Sequence, residues 1–183
     1  YAINLGMAVL RDRKTGIWKR LRAAPITLDA IVAGKVGSGT ITSLITLAAI
    51  FGVGIAAMGV RVQGSWPVFV LMLIATALLA STFGLLIASL GKTEEQSRGL
   101  SIFVVLTLTM LGGAWFPTFL MPEIMQKLTV AIPSRWVVDG LDGVLWRGWG
   151  LTESLPALGV IFGFSVVFLI FANLRLKATE KTA

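Results

Sequence analysis

Four long stretches of this chain carry no charge: Val36 to Val60, Val62 to Gly91, Gly99 to Pro122 and Ser154 to Leu174. Each reaches or exceeds the roughly 20 apolar residues needed to cross the hydrocarbon core of a bilayer. A fifth apolar piece, Tyr1 to Leu10, opens the chain. A soluble protein could bury one such helix, but hardly four within 183 residues. Lipid offers the backbone no hydrogen-bond partners, so spans of this kind must be helices that satisfy their own peptide groups. The expected fold is an all-α polytopic membrane protein.

The charged residues lie between the stretches and set an orientation. The net charge is +7, and on a soluble domain that balance would raise nucleic acid as a partner. Here loop charge accounts for it, and no nucleic acid is expected. Arg11–Lys35 holds seven Lys or Arg, Lys92–Arg98 two and the tail from Arg175 three, against one in Arg61–Trp66 and three in Pro117–Glu153. Alternate segments thus hold twelve and four, and the richer set belongs in the cytoplasm. Trp66, Trp115, Trp136, Trp146 and Trp149 then fall near the outer interface and Trp18 near the inner one, as an aromatic belt requires.

Several chemistries are excluded or disfavoured. Cys and His are both absent, which removes disulfides, thiolate chemistry and the commonest metal ligand. No ionisable side chain lies inside any of the four stretches, whereas ion-coupled transporters keep such groups as relays despite a cost of at least ~2.5 kcal/mol each. Gly91-Lys92-Thr93 mimics the end of a phosphate-binding loop, but Leu86 stands where that motif needs its first glycine. Energy for transport would have to come from another chain. Gly159 and Gly163 form a GxxxG, and Gly34, Gly37, Gly39, Ser43, Ala48, Gly52 and Ala56 stud the first full stretch. Such residues let helices approach closely. They fit a dimer face or packing within one subunit, and packing within the subunit is the favoured expectation.

Two segments outside the spans have a pattern of their own. In Arg11–Leu28, Ile17, Leu21 and Ala24 share one helical face, and Pro25 ends the element. Periodicity alone makes this an interfacial helix anchored at lipid headgroups. In the outer segment, Pro122 and Glu123 suit a helix start, and Met125, Leu128, Thr129 and Ile132 form an apolar stripe before Pro133. A second helix from Arg135 sets Val138, Leu141, Val144 and Leu145 on one side and Asp139 and Asp142 on the other. Both are too short to span, so they lie in or re-enter the outer leaflet, or form a surface loop anchored by tryptophans.

The motifs, taken in order, resemble a known family. Gly16-x-x-x-Arg20-Leu21-x-x-x-Pro25-Ile26, the span ending in Gly84–Arg98, Gly112-Gly-Ala-Trp-Phe-Pro117 followed by Met121-Pro122-Glu123, and Pro133-x-x-Trp136 are similar to the signature of ABC type-2 exporter permeases. The resemblance implies a six-helix subunit seen from the end of its second helix. It implies a bundle with a cytoplasmic coupling helix and short re-entrant outer-leaflet helices. The expected divisions are 1–10 as a helix end, 11–35 as the coupling segment, spans at 36–60, 67–90, 99–116 and 154–174, outer gate helices in 117–153 and a cytoplasmic tail at 175–183. Gly16, Ile17, Trp18, Arg20, Leu21, Pro25 and Ile26 would dock on a cytoplasmic ABC ATPase. Pro117, Pro122, Glu123, Pro133, Trp136, Val138 and Leu141 would shape the outer gate. Implied partners are the ATPase subunits, a second permease subunit and the bilayer of a bacterial or archaeal inner membrane. This chain would carry no cofactor, since ATP and Mg belong to the ATPase, and it would not itself be an enzyme. The implied function is outward movement of an amphipathic or hydrophobic substrate. The alternatives are polysaccharide export or a membrane assembly role without transport.

Overall fold

The structure, a computed structural model, describes residues 27–90, 94–116 and 118–181. The expected coupling residues Gly16, Ile17, Trp18, Arg20, Leu21, Pro25 and Ile26 lie outside the described residues, as does Pro117. The described elements are helices throughout: α1 (Leu28–Met58), α2 (Trp66–Leu90), α3 (Glu94–Leu111), a 3-10 turn (Thr118–Leu120), α4 (Glu123–Thr129), α5 (Pro133–Trp146) and α6 (Leu151–Lys181). Three of them, α1, α2 and residues Leu151–Ala178 of α6, are long and apolar enough to cross a membrane.

Helix α1 starts inside what the charge pattern assigned to the cytoplasmic segment. Thr27 is the reason. Its hydroxyl accepts from the Ala30 amide at 3.3 Å and its carbonyl from the Ile31 amide at 3.2 Å, satisfying donors that a helix start leaves open. Leu28–Lys35 therefore forms the opening turns of the helix.

The stretch expected to span at 99–116 stops earlier. Its apolar helical part is Arg98–Leu111, about 21 Å at 1.5 Å per residue, short of a core about 30 Å thick. Gly113 turns the chain at φ +89°, a conformation that side chains disfavour. The Leu108 carbonyl also receives the Ser134 hydroxyl at 2.6 Å, so the helix end is sealed by a later element.

The described helices contribute to two compact units, one drawing on residues up to Ser43, Ala77–Phe103 and Ser165 onward, the other on Leu44–Thr76 and Val104–Phe164. In the first, Val32 and Val36 of α1, Leu85 and Ala88 of α2, and Ala172 and Leu176 of α6 form one buried cluster. Each pair is spaced three or four residues apart, one face of a helix. Beside it, Lys177 Nζ lies 2.8 Å from Asp29 Oδ1, and Asn173 Nδ2 donates to the same oxygen at 2.7 Å. The buried hydroxyls of Ser81 and Thr82 bond back to the carbonyls of Ala77 and Leu78 at 2.9 and 3.0 Å, which lets them sit among apolar neighbours without loss.

In the second unit, Phe69 makes edge-on contacts with Phe51 and Trp66 at 5.3 and 5.9 Å. Met72, Ala75, Val144, Ala157, Leu158 and Ile161 are buried. Elsewhere the long helices present apolar side chains outward: Ile41, Ile45, Ile50 and Val53 on α1, and Val166, Ile170 and Phe171 on α6. Leaving that surface in water costs about 25 cal/mol per Å², so hydrocarbon is its natural solvent. A Cβ on Gly34, Gly37, Gly52, Gly159 or Gly163 would touch nothing within 4 Å. Packing among the described residues, the favoured reading of the GxxxG, is thereby corrected. On α1 the packing expectation holds at Gly39 and Ser43, which are buried.

Candidate functional site: a short helix pair and its charged pocket

Helices α4 and α5 meet at a three-residue elbow, Val130–Ile132. A short helix leaves its last carbonyls unpaired; at the end of α4 the amides of Ala131 and Ile132 take those of Leu128 and Thr129, and a side chain from α5 takes that of Gln126. Arg135 Nη1 donates to the Gln126 carbonyl and, at 2.7 Å, to Thr129 Oγ1, while its Nε donates to Asp139 Oδ2 at 3.3 Å. The Thr129 hydroxyl passes its own proton to the Gln126 carbonyl at 2.9 Å, and Gln126 Nε2 donates to the Met121 carbonyl at 2.8 Å. Trp136 Nε1 closes the turn on the Val130 carbonyl at 2.8 Å. One guanidinium thus joins both helices.

The expected gate residues fall in different places. Pro122 caps α4 and Glu123 opens it, both exposed; Pro133 is the first residue of α5 and is buried. The apolar side predicted for α5 holds at Val144 and Leu145 and is corrected at Val138 and Leu141. Its buried residues are Pro133, Gly140, Gly143, Val144 and Leu145, while Val138 and Leu141 are half-buried. Glycine decides the contact: a Cβ on Gly140 would strike Met72 Cε, and one on Gly143 would enter the Trp149 ring. The stripe predicted on α4 is split as well, because Thr129 turns inward to Arg135 while Met125 and Leu128 stay exposed.

The end of α5 is held by the loop before α2. The amides of Gln63, Gly64 and Ser65 donate to the carbonyls of Leu145, Val144 and Trp149 at 3.4, 2.9 and 3.4 Å. On the other side of α5, four charges converge. Arg135 pairs with Asp139, and Arg147 pairs with Asp142 at 2.5 Å. The Arg147 guanidinium also lies 5.4 Å from the centre of the Trp149 ring. With Gln126 these residues line a cavity of about 500 Å³, within the range of ligand pockets. Asp139 and Asp142 were legible as a polar face. Arg135, Gln126, Arg147 and Trp149 were missed as site residues, although Arg135 and Asp139 stand at i, i+4, a spacing that pairs opposite charges on a helix. Among the described residues no group of acidic side chains is arranged to hold a metal.

Three apolar helices of membrane-crossing length, with a short helix pair locked by polar contacts, define a multi-pass helical membrane protein. Residues 1–146 match the family model of the ABC-2 type transporters, and the chain belongs to that family. It is 26% identical over 178 residues to the inner membrane transport permease YhhJ of Escherichia coli K12, covering 97% of this chain and 48% of that protein. It is 28% identical over 162 residues to the linearmycin resistance permease protein LnrN of Bacillus subtilis, covering 87% and 41%. It is 30% identical over 152 residues to the transport permease YadH of E. coli K12, covering 83% and 57%. The chain spans about half the length of these curated relatives. No solved structure matches it.

Proposed function

We propose that the chain forms part of the transmembrane subunit of an inner-membrane exporter, one that moves an amphipathic or hydrophobic substrate outward while a separate ATPase subunit hydrolyses ATP. The observation that carries this reading is the absence of any ionisable side chain within the four apolar stretches. A route without charge offers little to a bare ion and suits an apolar body. The name of one relative, the linearmycin resistance permease protein LnrN, agrees with such a cargo. In this reading Gly16, Ile17, Trp18, Arg20, Leu21, Pro25 and Ile26 dock on the ATPase, and a second permease subunit completes the path. Helices α4 and α5, with Pro117, Pro122, Glu123, Pro133, Trp136, Val138 and Leu141, form the outer gate.

The test is ATP-dependent movement of a fluorescent amphiphile by the full-length permease, reconstituted with its ATPase in proteoliposomes. Leu21→Asp places a charge where the ATPase cleft wants an apolar group, at several kcal/mol when unpaired. Transport and stimulated ATP hydrolysis should both fall, with membrane insertion unchanged. Wild-type transport in that variant leaves only a lipid anchor for this segment. An intact complex that moves no amphiphile under ATP sinks the exporter reading.

A further inference from the structure

The four charges beside α5 are matched but not exhausted. Asp139 receives Arg135 through Oδ2 alone, and Asp142 receives both Arg147 donors through Oδ2 alone. Among the described residues, each carboxylate therefore keeps Oδ1 free. Each guanidinium also keeps one nitrogen without a protein acceptor, Nη2 of Arg135 and Nη1 of Arg147. The cavity between them holds about 500 Å³, and its formal charges, two positive and two negative, cancel. A lone anion would meet two carboxylates there, and a lone cation two guanidinium groups. A ligand with both signs, set a few ångströms apart, meets neither penalty.

The surroundings point to an amphiphile. Gln126 lines the cavity from α4, while Ile124 and Leu128, on the opposite face of that helix, are exposed, as are Trp115, Phe116 and Leu120 just before it. A charged pocket thus lies behind a strap whose outer face is apolar, the arrangement expected at a membrane–water boundary.

We propose that this pocket is a binding site for a zwitterionic headgroup, in which a primary ammonium donates to Oδ1 of Asp139 and Asp142 and a phosphodiester or carboxylate accepts from Arg135 and Arg147. The site extends the exporter reading by naming a headgroup class, and it rests on that reading only for its physiological use.

The experiment uses the full-length permease with its ATPase, without nucleotide, in phosphatidylglycerol nanodiscs titrated with spin-labelled phosphatidylethanolamine. Saturable binding of phosphatidylethanolamine over labelled phosphatidylglycerol is expected. Asp139→Asn with Asp142→Asn should weaken it about tenfold or more, the effect of losing charge-assisted hydrogen bonds. Asp142→Asn alone, altering an exposed pair and so sparing the fold, should give a smaller loss in the same direction. Competition by soluble glycerophosphoethanolamine identifies a site open to dissolved headgroups; saturable binding without that competition identifies one filled from the bilayer. Both support the proposal. Equal binding of the two lipids, or wild-type binding in the double variant, overturns it. Because no transport is measured, a permease that moves nothing can still show the site, and a flat titration leaves the exporter reading intact.

Discussion

Two residues of α5 carry most of what can be tested one side chain at a time. Arg135 supplies a flat, multi-donor group to a carbonyl, a hydroxyl and a carboxylate, and lysine offers a point charge in its place. Arg135→Lys should lower unfolding stability in detergent by about 1–3 kcal/mol, the cost of leaving such acceptors unpaired, and Arg135→Gln by more. An unchanged melting temperature would remove Arg135 from the elbow. Gly140 acts through what it lacks. Gly140→Ala forces Met72 Cε aside, and overpacking of this kind costs roughly 1–3 kcal/mol. Met72→Ala should cost less in the Gly140→Ala chain than on its own, because the obstacle is the end of one flexible side chain. Gly159→Ala meets open space and should be neutral or gain up to about 1 kcal/mol from helix propensity. These sites were legible to different degrees. The Arg135–Asp139 spacing is visible in the sequence, but a bond to the Gln126 carbonyl is not, because every residue has that group and only the elbow brings it near.

At the scale of elements, α1, α2 and α6 were plain in the sequence because nothing but a helix can carry so many apolar residues through lipid. Their ends were not. Thr27 extends α1 by capping it, and the uncharged stretch says nothing of a cap. The early end of α3 depends on Gly113 and on the Ser134 hydroxyl from α5, a contact between residues far apart in sequence. The buried face of α5 was read correctly at Val144 and Leu145, and its glycines were missed for a physical reason. Periodicity follows large apolar side chains and so selects Val138 and Leu141, whereas the closest packing is made by Gly140 and Gly143, which have no side chain to score. Paired substitutions compare a buried and a half-buried position of the predicted side. Val144→Asn puts an amide where Val144 is fully buried, at about 1–3 kcal/mol or more. Val138→Asn, at a half-buried position, should cost clearly less. Under the proposed exporter reading, in which this helix belongs to a gate, Val144→Asn should lower net efflux more than ATP hydrolysis. Equal losses of stability from the two substitutions would put Val138 as deep in the contact as Val144.

At the scale of the whole molecule, helix length and charge placement make one connected statement. Helices α1 and α6 have 31 residues each, about 46 Å at 1.5 Å per residue, enough for the hydrocarbon core and both headgroup layers. Their charged ends, Asp29 and Lys35 on α1 and Arg175 and Lys177 on α6, lie in the unit that also holds the start of α3 with Glu95 and Arg98. Arg61, Lys127, Arg135 and Arg147 all belong to the other unit. The division of basic residues read from the sequence therefore coincides with the division of the described helices into two units. The orientation that follows can be measured, and the chain is suited to it because it has no native cysteine. Single cysteines at Lys14, Thr93 and Thr179 should react with a membrane-impermeant thiol reagent only after cells are permeabilised. Those at Gln63 and Lys127 should react in intact cells. Gln63 is the stricter test, since its segment is bonded to the end of α5 and must share the side of the outer helix pair. Labelling at Gln63 and Lys127 on opposite sides would contradict the fold itself. Labelling of both only after permeabilisation would leave the fold standing and invert the orientation set by the basic residues.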